Sequence, residues 1–224
     1  MVILGNPPCS GVSSNTSDAA TAFADRYKIE PGGKQKLQER NSKWINDDYV
    51  KFISFAESQI KQTGYGVLGY ITPHGYLDNP TFRGMRWQLL ETFDEIYVLD
   101  LHGNSNKKEV TPEGGKDENV FDIQQGVSII LAIKSANAKP EQATVYHADL
   151  YGKRNFKYDQ LHAWGHTKTP WEKITPQAPN YYFMPFDYDA QKEYLGSISL
   201  AELLPVNSVG IVTARDHLSI QFDK

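Results

Sequence analysis

Residues 2–9 read VILGNPPC. Val2, Ile3 and Leu4 form an unbroken apolar run, the pattern of a strand buried on both faces of a parallel sheet. The run stops at Gly5, and Asn6, Pro7, Pro8 and Cys9 follow. Two consecutive prolines fix φ and remove two backbone donors, while their carbonyls stay in a stiff geometry. The Asn6 side chain adds a further carbonyl. In parallel α/β sheets the ends of strands are where ligands sit. A rigid set of acceptors there suits an amino group, whose two hydrogens two converging carbonyls can hold. Drawing those hydrogens away makes the nitrogen more nucleophilic. A simple turn is the plainer reading of Asn-Pro-Pro taken alone.

Working outward, 224 residues with 40% hydrophobic content suffice for a sizeable core in one or two domains. A net charge of −4 argues against a uniformly basic coat for nucleic acid, though not against a local basic face. The single cysteine, Cys9, excludes an internal disulfide framework and points to a reduced, cytoplasmic setting. The opening apolar run is too short for a secretion signal, and no stretch approaches a membrane span, so a soluble protein with no membrane partner is expected.

Residues 10–45 show little apolar periodicity, with room for a short helix in the middle; a loop of this length is functional or disordered. From Asn46 the pattern changes. Tyr49, Phe52, Ile53, Ala56 and Ile60 recur at helical spacing, with Asn46 as the expected N-cap and Gly64 as the stop. GVLGYITP (66–73) reads as a second strand, 82–93 as a helix, EIYVLDLHG (95–103) as a third strand and GVSIILAIK (126–134) as a fourth. Strands alternating with helices predict a parallel α/β sheet. Between the last two strands there is no helix, so a long hairpin with one antiparallel strand is expected. After about residue 139 the texture turns to short strands and irregular segments.

Four of these segments carry a family resemblance. NPPC resembles the Asn-Pro-Pro-aromatic motif of amino-group DNA methyltransferases. GVLGYITP is similar to the next strand of that family, and FDEIYVLDLHGN (93–104) with NVFDIQQGVSIILAIK (119–134) to its final hairpin. The likeness is greatest to the adenine-specific methyltransferase domain of large restriction–modification enzymes. It implies the C-terminal half of a Rossmann-like methyltransferase sheet in 1–139, mostly parallel with an antiparallel final hairpin. Residues 140–224 would then begin a mixed or β target recognition domain.

The resemblance also implies chemistry. A flipped adenine would give its 6-amino hydrogens to the Asn6 side chain and the Pro7 carbonyl, with Pro8 holding the turn and S-adenosylmethionine as methyl donor. The family's fourth position is Tyr or Phe, which stacks on the base. Here it is Cys9, which has no π face. Phe121 matches a second stacking aromatic, and its plainer reading is a hydrophobic plug. The main cofactor-binding elements of the family precede the Asn-Pro-Pro strand, so cofactor residues in this chain are unknown. The partners implied are double-stranded DNA and a missing N-terminal part of the same bacterial, cytoplasmic enzyme. A non-enzymatic DNA-recognition or assembly fragment is the alternative.

Other candidates weigh less. GYGVLG (64–69) spells G-x-G-x-x-G but precedes a strand, whereas the nucleotide fingerprint follows one. His162 and His166 have i, i+4 spacing without a metalloprotease glutamate, and no metal site is expected. Cys9 as a nucleophile would need His74 as its base. The aromatics of YYFMPF (181–186) are expected in a small core, and Lys107, Lys108 and Lys116 on a solvated loop.

Overall fold

The first strand, β1 (Val2–Gly5), lies at the edge of a six-stranded sheet and pairs in parallel with β2 (Gly66–Pro73). This computed structural model describes residues 1–206 apart from 10, 12, 14, 40 and 138–141. β1 is not buried on both faces as its composition predicts: Val2 is 67% and Leu4 72% exposed, and only Ile3 packs against the core. An edge position removes the neighbour that would have covered it.

α1 (Asp18–Asp25) occupies the expected short-helix position, capped by the Ser17 side chain. The segment around it is no open loop. Tyr27 and Ile45 are fully buried and Leu37 nearly so. Each is placed singly by long-range contacts, which leaves no periodic trace in the sequence. The Tyr27 hydroxyl donates to Glu57 Oε2 at 2.7 Å, and Thr92 Oγ1 donates to Glu57 Oε1 at 2.6 Å. Arg83 clamps the same segment through Glu30 and Glu39, both at 2.6 Å. The approach is close: a Cβ on Gly84 would stand 2.3 Å from the Ile29 carbonyl oxygen, so only glycine fits beneath it.

α2 (Asp48–Thr63) is the long amphipathic helix. Asp47 rather than Asn46 is its N-cap, accepting from the Asp48 N–H, and Gly64 ends it with φ 84°. Tyr49, Val50, Ile53, Ala56 and Ile60 form its buried stripe. Each larger apolar side chain among them contributes roughly 1.5–3 kcal/mol by burial. α3 (Arg83–Thr92) follows β2 and leads into β3 (Glu95–Asp100).

β4 (Val127–Lys134) returns antiparallel to β3, as the missing crossover helix requires. It inserts between β2 and β3 and is antiparallel to both. β5 (Thr144–Asp149) then pairs in parallel with β3, and β6 (Glu172–Ile174) antiparallel with β5. The sheet therefore runs β1-β2-β4-β3-β5-β6, with β1, β2, β3 and β5 pointing one way. It continues across the boundary expected at 139/140, and the first unit reaches Phe186. α4 (Arg154–Ala163) lies between β5 and β6.

Phe183 is fully buried in the main core and Tyr182 nearly so, as the small-core reading of YYFMPF expects. A smaller apolar cluster of Leu99, Leu101, Val120, Val127, Ala148 and Leu150 takes in Phe121, Trp164 and Trp171. A second unit begins at Asp187 and contains α5 (Tyr188–Leu195) and α6 (Leu200–Leu203). The end of the region of short strands and irregular segments expected after about residue 139, residues 207–224, lies outside the described residues. Among those described, no helix is long and apolar enough to cross a membrane.

Candidate active site

The Asn-Pro-Pro-Cys turn caps the C-terminal end of β1. Pro7 is buried, while Asn6 and Pro8 are exposed, so the amide stands free at the strand end. The Cys9 thiol donates to the Pro7 carbonyl oxygen across 3.3 Å. Burial first, and then the field of Asp47, push that thiol up to about 11. A thiol held protonated is no nucleophile at neutral pH. His74, the base the sequence suggests, is turned instead to Asp100 and Asn104. The nucleophilic reading of Cys9 therefore has no geometric support.

Asp47 links the turn to helix α2. One carboxylate oxygen caps Asp48 N–H at 2.7 Å and the other accepts from Gly11 N–H at 3.1 Å. Asp47 also lines a cavity of about 470 Å³ with Trp44, Tyr49, His74, Phe82 and Asn104. His74 follows β2 and Asn104 follows β3, so the cavity opens at the C-terminal ends of the strands. Sequence reasoning missed Asp47, which holds Gly11 and acts on Cys9, and Trp44, which shares its cavity. The only signal is the position of Trp44 just ahead of the helix cap.

Phe121 lines a different cavity, of about 620 Å³, with Asn119, Gln124, Lys153 and Arg154. Its backbone is held by α4. Lys157 Nζ donates to the Glu118 carbonyl at 2.7 Å, Arg154 Nε to Asn119 O at 2.7 Å and Tyr158 Oη to Val120 O at 2.5 Å. Arg154 Nη2 reaches Phe121 O at 2.9 Å. Four consecutive carbonyls are thus fixed by three side chains of one helix. Beneath them the Asp117 carboxylate meets Lys157 Nζ at 2.8 Å, with both side chains wholly buried. None of this was legible in the sequence, because the partners lie about 35 residues apart.

GYGVLG splits as expected, with Gly64 ending α2 and Gly66 opening β2. His162 and His166 do not share a helix face, because α4 ends at Ala163. His166 packs its ring on Tyr97 instead, at 4.4 Å. Lys107 and Lys116 make only exposed loop pairs, with Asp78 and Glu118.

A buried polar knot joins the ends of β2, β3 and β5. Asp100 accepts from His74 Nδ1 at 3.0 Å and from the His102 backbone N–H at 2.9 Å. His102 Nε2 meets Asp149 Oδ1 at 2.8 Å, and His147 Nε2 meets the same oxygen at 3.0 Å. His102 holds φ 51°, a left-handed conformation that few non-glycine residues adopt. Burial works against its imidazolium, but the hydrogen bond to Asp149 and the nearby carboxylates of Glu109 and Asp100 override it and raise its pKa to about 9. For Asp149 burial likewise opposes the charge, yet the bonds from His102 and His147 hold its carboxyl far below the usual range.

A raised imidazole pKa stabilises the fold fully below the unfolded value of 6.5, and the contribution disappears as pH climbs through about 9. In metal-free buffer, the melting temperature should therefore fall between those two pH values, and His102→Gln should flatten the slope. Parallel slopes for the two proteins would contradict the assignment. Asp149 titrates well below this window and Tyr151, stacked on His102 at 3.8 Å, at about 12, so neither shapes it.

No protein-family model and no curated protein matches the chain. Solved structures do. The ATP-dependent Type ISP restriction–modification enzyme LlaBIII bound to DNA is similar at TM-score 0.68 and 26% identity, over 85% of this chain. A nuclease-deletion mutant of the Type ISP enzyme LlaGI, with a DNA substrate mimic, gives 0.68 at 22% identity over 86%. A DrdV–DNA complex gives 0.65 at 22% identity over 84%. The chain spans only 13%, 19% and 18% of these three proteins. The similarity establishes a fold shared with part of DNA-bound restriction–modification enzymes.

Proposed function

We propose that this chain is the catalytic half of an adenine-specific DNA methyltransferase domain within a restriction–modification enzyme. The observation that carries the reading is the acceptor-bearing Asn6–Pro7–Pro8 turn at the C-terminal end of β1. Two further observations support it. β4 lies antiparallel between β2 and β3, as a final methyltransferase hairpin would. The fold also matches part of DNA-bound LlaBIII.

In this reading the Asn6 side-chain oxygen and the Pro7 carbonyl hold the two hydrogens of a flipped adenine amino group, and Pro8 keeps the two acceptors at fixed spacing. The Cys9 thiol occupies one lone pair of the Pro7 oxygen and leaves the other for substrate. Phe121, anchored through its backbone by α4, offers its ring to the base. Bound S-adenosylmethionine supplies the methyl group. The exposed edge and apolar side chains of β1 fit a strand from an upstream polypeptide, which we assign the principal cofactor contacts. Residues from β5 onward begin the part that reads the target sequence.

The test is methyl transfer. The chain is co-produced with the segment encoded upstream, incubated with duplex DNA and labelled S-adenosylmethionine, and the product digested to nucleosides. The expected result is label in N6-methyladenine. DNA binding without cofactor binding or methyl transfer would overturn the proposal. Because Cys9 lacks the ring of the family motif, that outcome would favour a non-enzymatic recognition or assembly role.

A further inference from the structure

We propose that His74, Asp100 and His102 form a site for a divalent ion of the zinc class, with Glu109 beside His102. The donor atoms of His74, Asp100 and His102 all lie within 4.8 Å of one another, and all three residues are buried. His74 Nδ1 stands 3.0 and 3.2 Å from the two Asp100 oxygens. His102 Nδ1 stands 3.7 Å from Asp100 Oδ2 and 3.7 Å from Glu109 Oε1. Those last two separations are too long for good hydrogen bonds. They lie near the edge of a tetrahedron with zinc–ligand distances of about 2.0–2.2 Å, which puts neighbouring ligands roughly 3.3–3.6 Å apart.

The outer contacts favour the same reading. Both imidazoles turn Nδ1 inward and have Nε2 held from behind. Asp149 holds His102 Nε2 at 2.8 Å and Asn104 faces His74 Nε2 at 3.0 Å. For His102 the carboxylate behind the ring is the usual support of a metal ligand. Gly126 leaves room for the His74 ring, since a Cβ there would lie 2.4 Å from its Cε1. Two nitrogens and a carboxylate suit zinc better than magnesium or calcium, and three protein ligands leave the fourth position to water. The ion would tie the ends of β2 and β3 together beside the cavity lined by His74 and Asn104.

One local change accompanies binding. Metal at His74 Nδ1 leaves the ring proton on Nε2, so Asn104 must present its oxygen there. That oxygen now accepts from the Lys107 N–H at 3.1 Å. An aspartate at 104 would accept from both groups. The site therefore predicts a gain of affinity from Asn104→Asp as well as losses from the ligand variants.

The experiment uses the whole chain, stripped with a chelator and titrated with cobalt(II) and then zinc(II). One equivalent of cobalt should give the intense visible absorption of a four-coordinate site without a thiolate band, and zinc should displace it. Asp149→Asn should weaken binding about 10- to 100-fold, and Asn104→Asp should tighten it by a similar order. His102→Gln should abolish the spectrum, whereas the double variant His162→Gln, His166→Gln should leave it intact. Nitrogen-15 NMR of the zinc-loaded wild type needs no variant and should show metal-bound Nδ1 atoms in two histidines, His74 and His102. The proposal fails if cobalt gives no four-coordinate spectrum, if the signal follows His162 and His166, or if no pair of Nδ1 resonances shifts. None of these readouts depends on methyl transfer, so the two proposals stand or fall separately.

Discussion

Lys157→Met is expected to cost about 3–5 kcal/mol of folding stability, the range for breaking a buried ion pair from one side. The ammonium has three hydrogens and uses all of them, on Leu101 O at 2.6 Å, Glu118 O at 2.7 Å and Asp117 Oδ1 at 2.8 Å. Asp117 in turn accepts from Gly103 N–H at 2.6 Å and Gly152 N–H at 2.7 Å. Methionine fills similar volume but strands a buried carboxylate and two carbonyls. Domain stabilities run to about 5–15 kcal/mol in total, so the loss is a large share. Urea denaturation of the two proteins measures it. Adding Asp117→Asn to Lys157→Met should recover part of the loss, because the isolated charge is then gone. A change under about 0.5 kcal/mol for Lys157→Met would show that water already reaches the pair. The amides of 118–121 should also exchange faster in the variant, since α4 would no longer grip the segment that carries Phe121.

The second large effect concerns the turn and rests on the methyltransferase reading. In the reconstituted enzyme Asn6→Ala should abolish methylation, because it removes one of the two acceptors from the attacking nitrogen. Cys9→Tyr should raise it. The thiol offers a base no π face, whereas base–aromatic stacking contributes roughly 1–3 kcal/mol, or about tenfold to a hundredfold in transition-state binding. Tyrosine also frees the lone pair of Pro7 O that the thiol occupies at 3.3 Å. Initial rates of methyl transfer at subsaturating DNA decide both points. If Cys9→Tyr gives no gain while Asn6→Ala still inactivates, a ring elsewhere already clamps the base. Trp44 at the neighbouring cavity is then the first residue to replace. Full activity in Asn6→Ala would remove the turn from the chemistry altogether.

The periodic elements were legible in the sequence. The stripe Tyr49–Ile60, the stop at Gly64 and the apolar runs of β2, β3 and β4 carry their structure in local spacing, since α2 buries one face and β3 is buried on both. The antiparallel β3–β4 hairpin also followed, because no crossover helix separates the two strands. The cap shifted from Asn46 to Asp47 because Asp47 also serves Gly11, a partner 36 residues away. Spacing along the chain specifies an α/β sheet with an antiparallel closing hairpin and a rigid acceptor turn at Asn6–Pro8. Local spacing and proline geometry are properties of neighbours in the chain. The exposed edge at β1 and the pinning of the long loop by Tyr27 and Ile45 come from the assembled fold. It alone placed His74, Asp100, His102 and Asp149 together at three strand ends. Those positions depend on which strands lie side by side, and strand order is set by contacts between residues far apart in sequence.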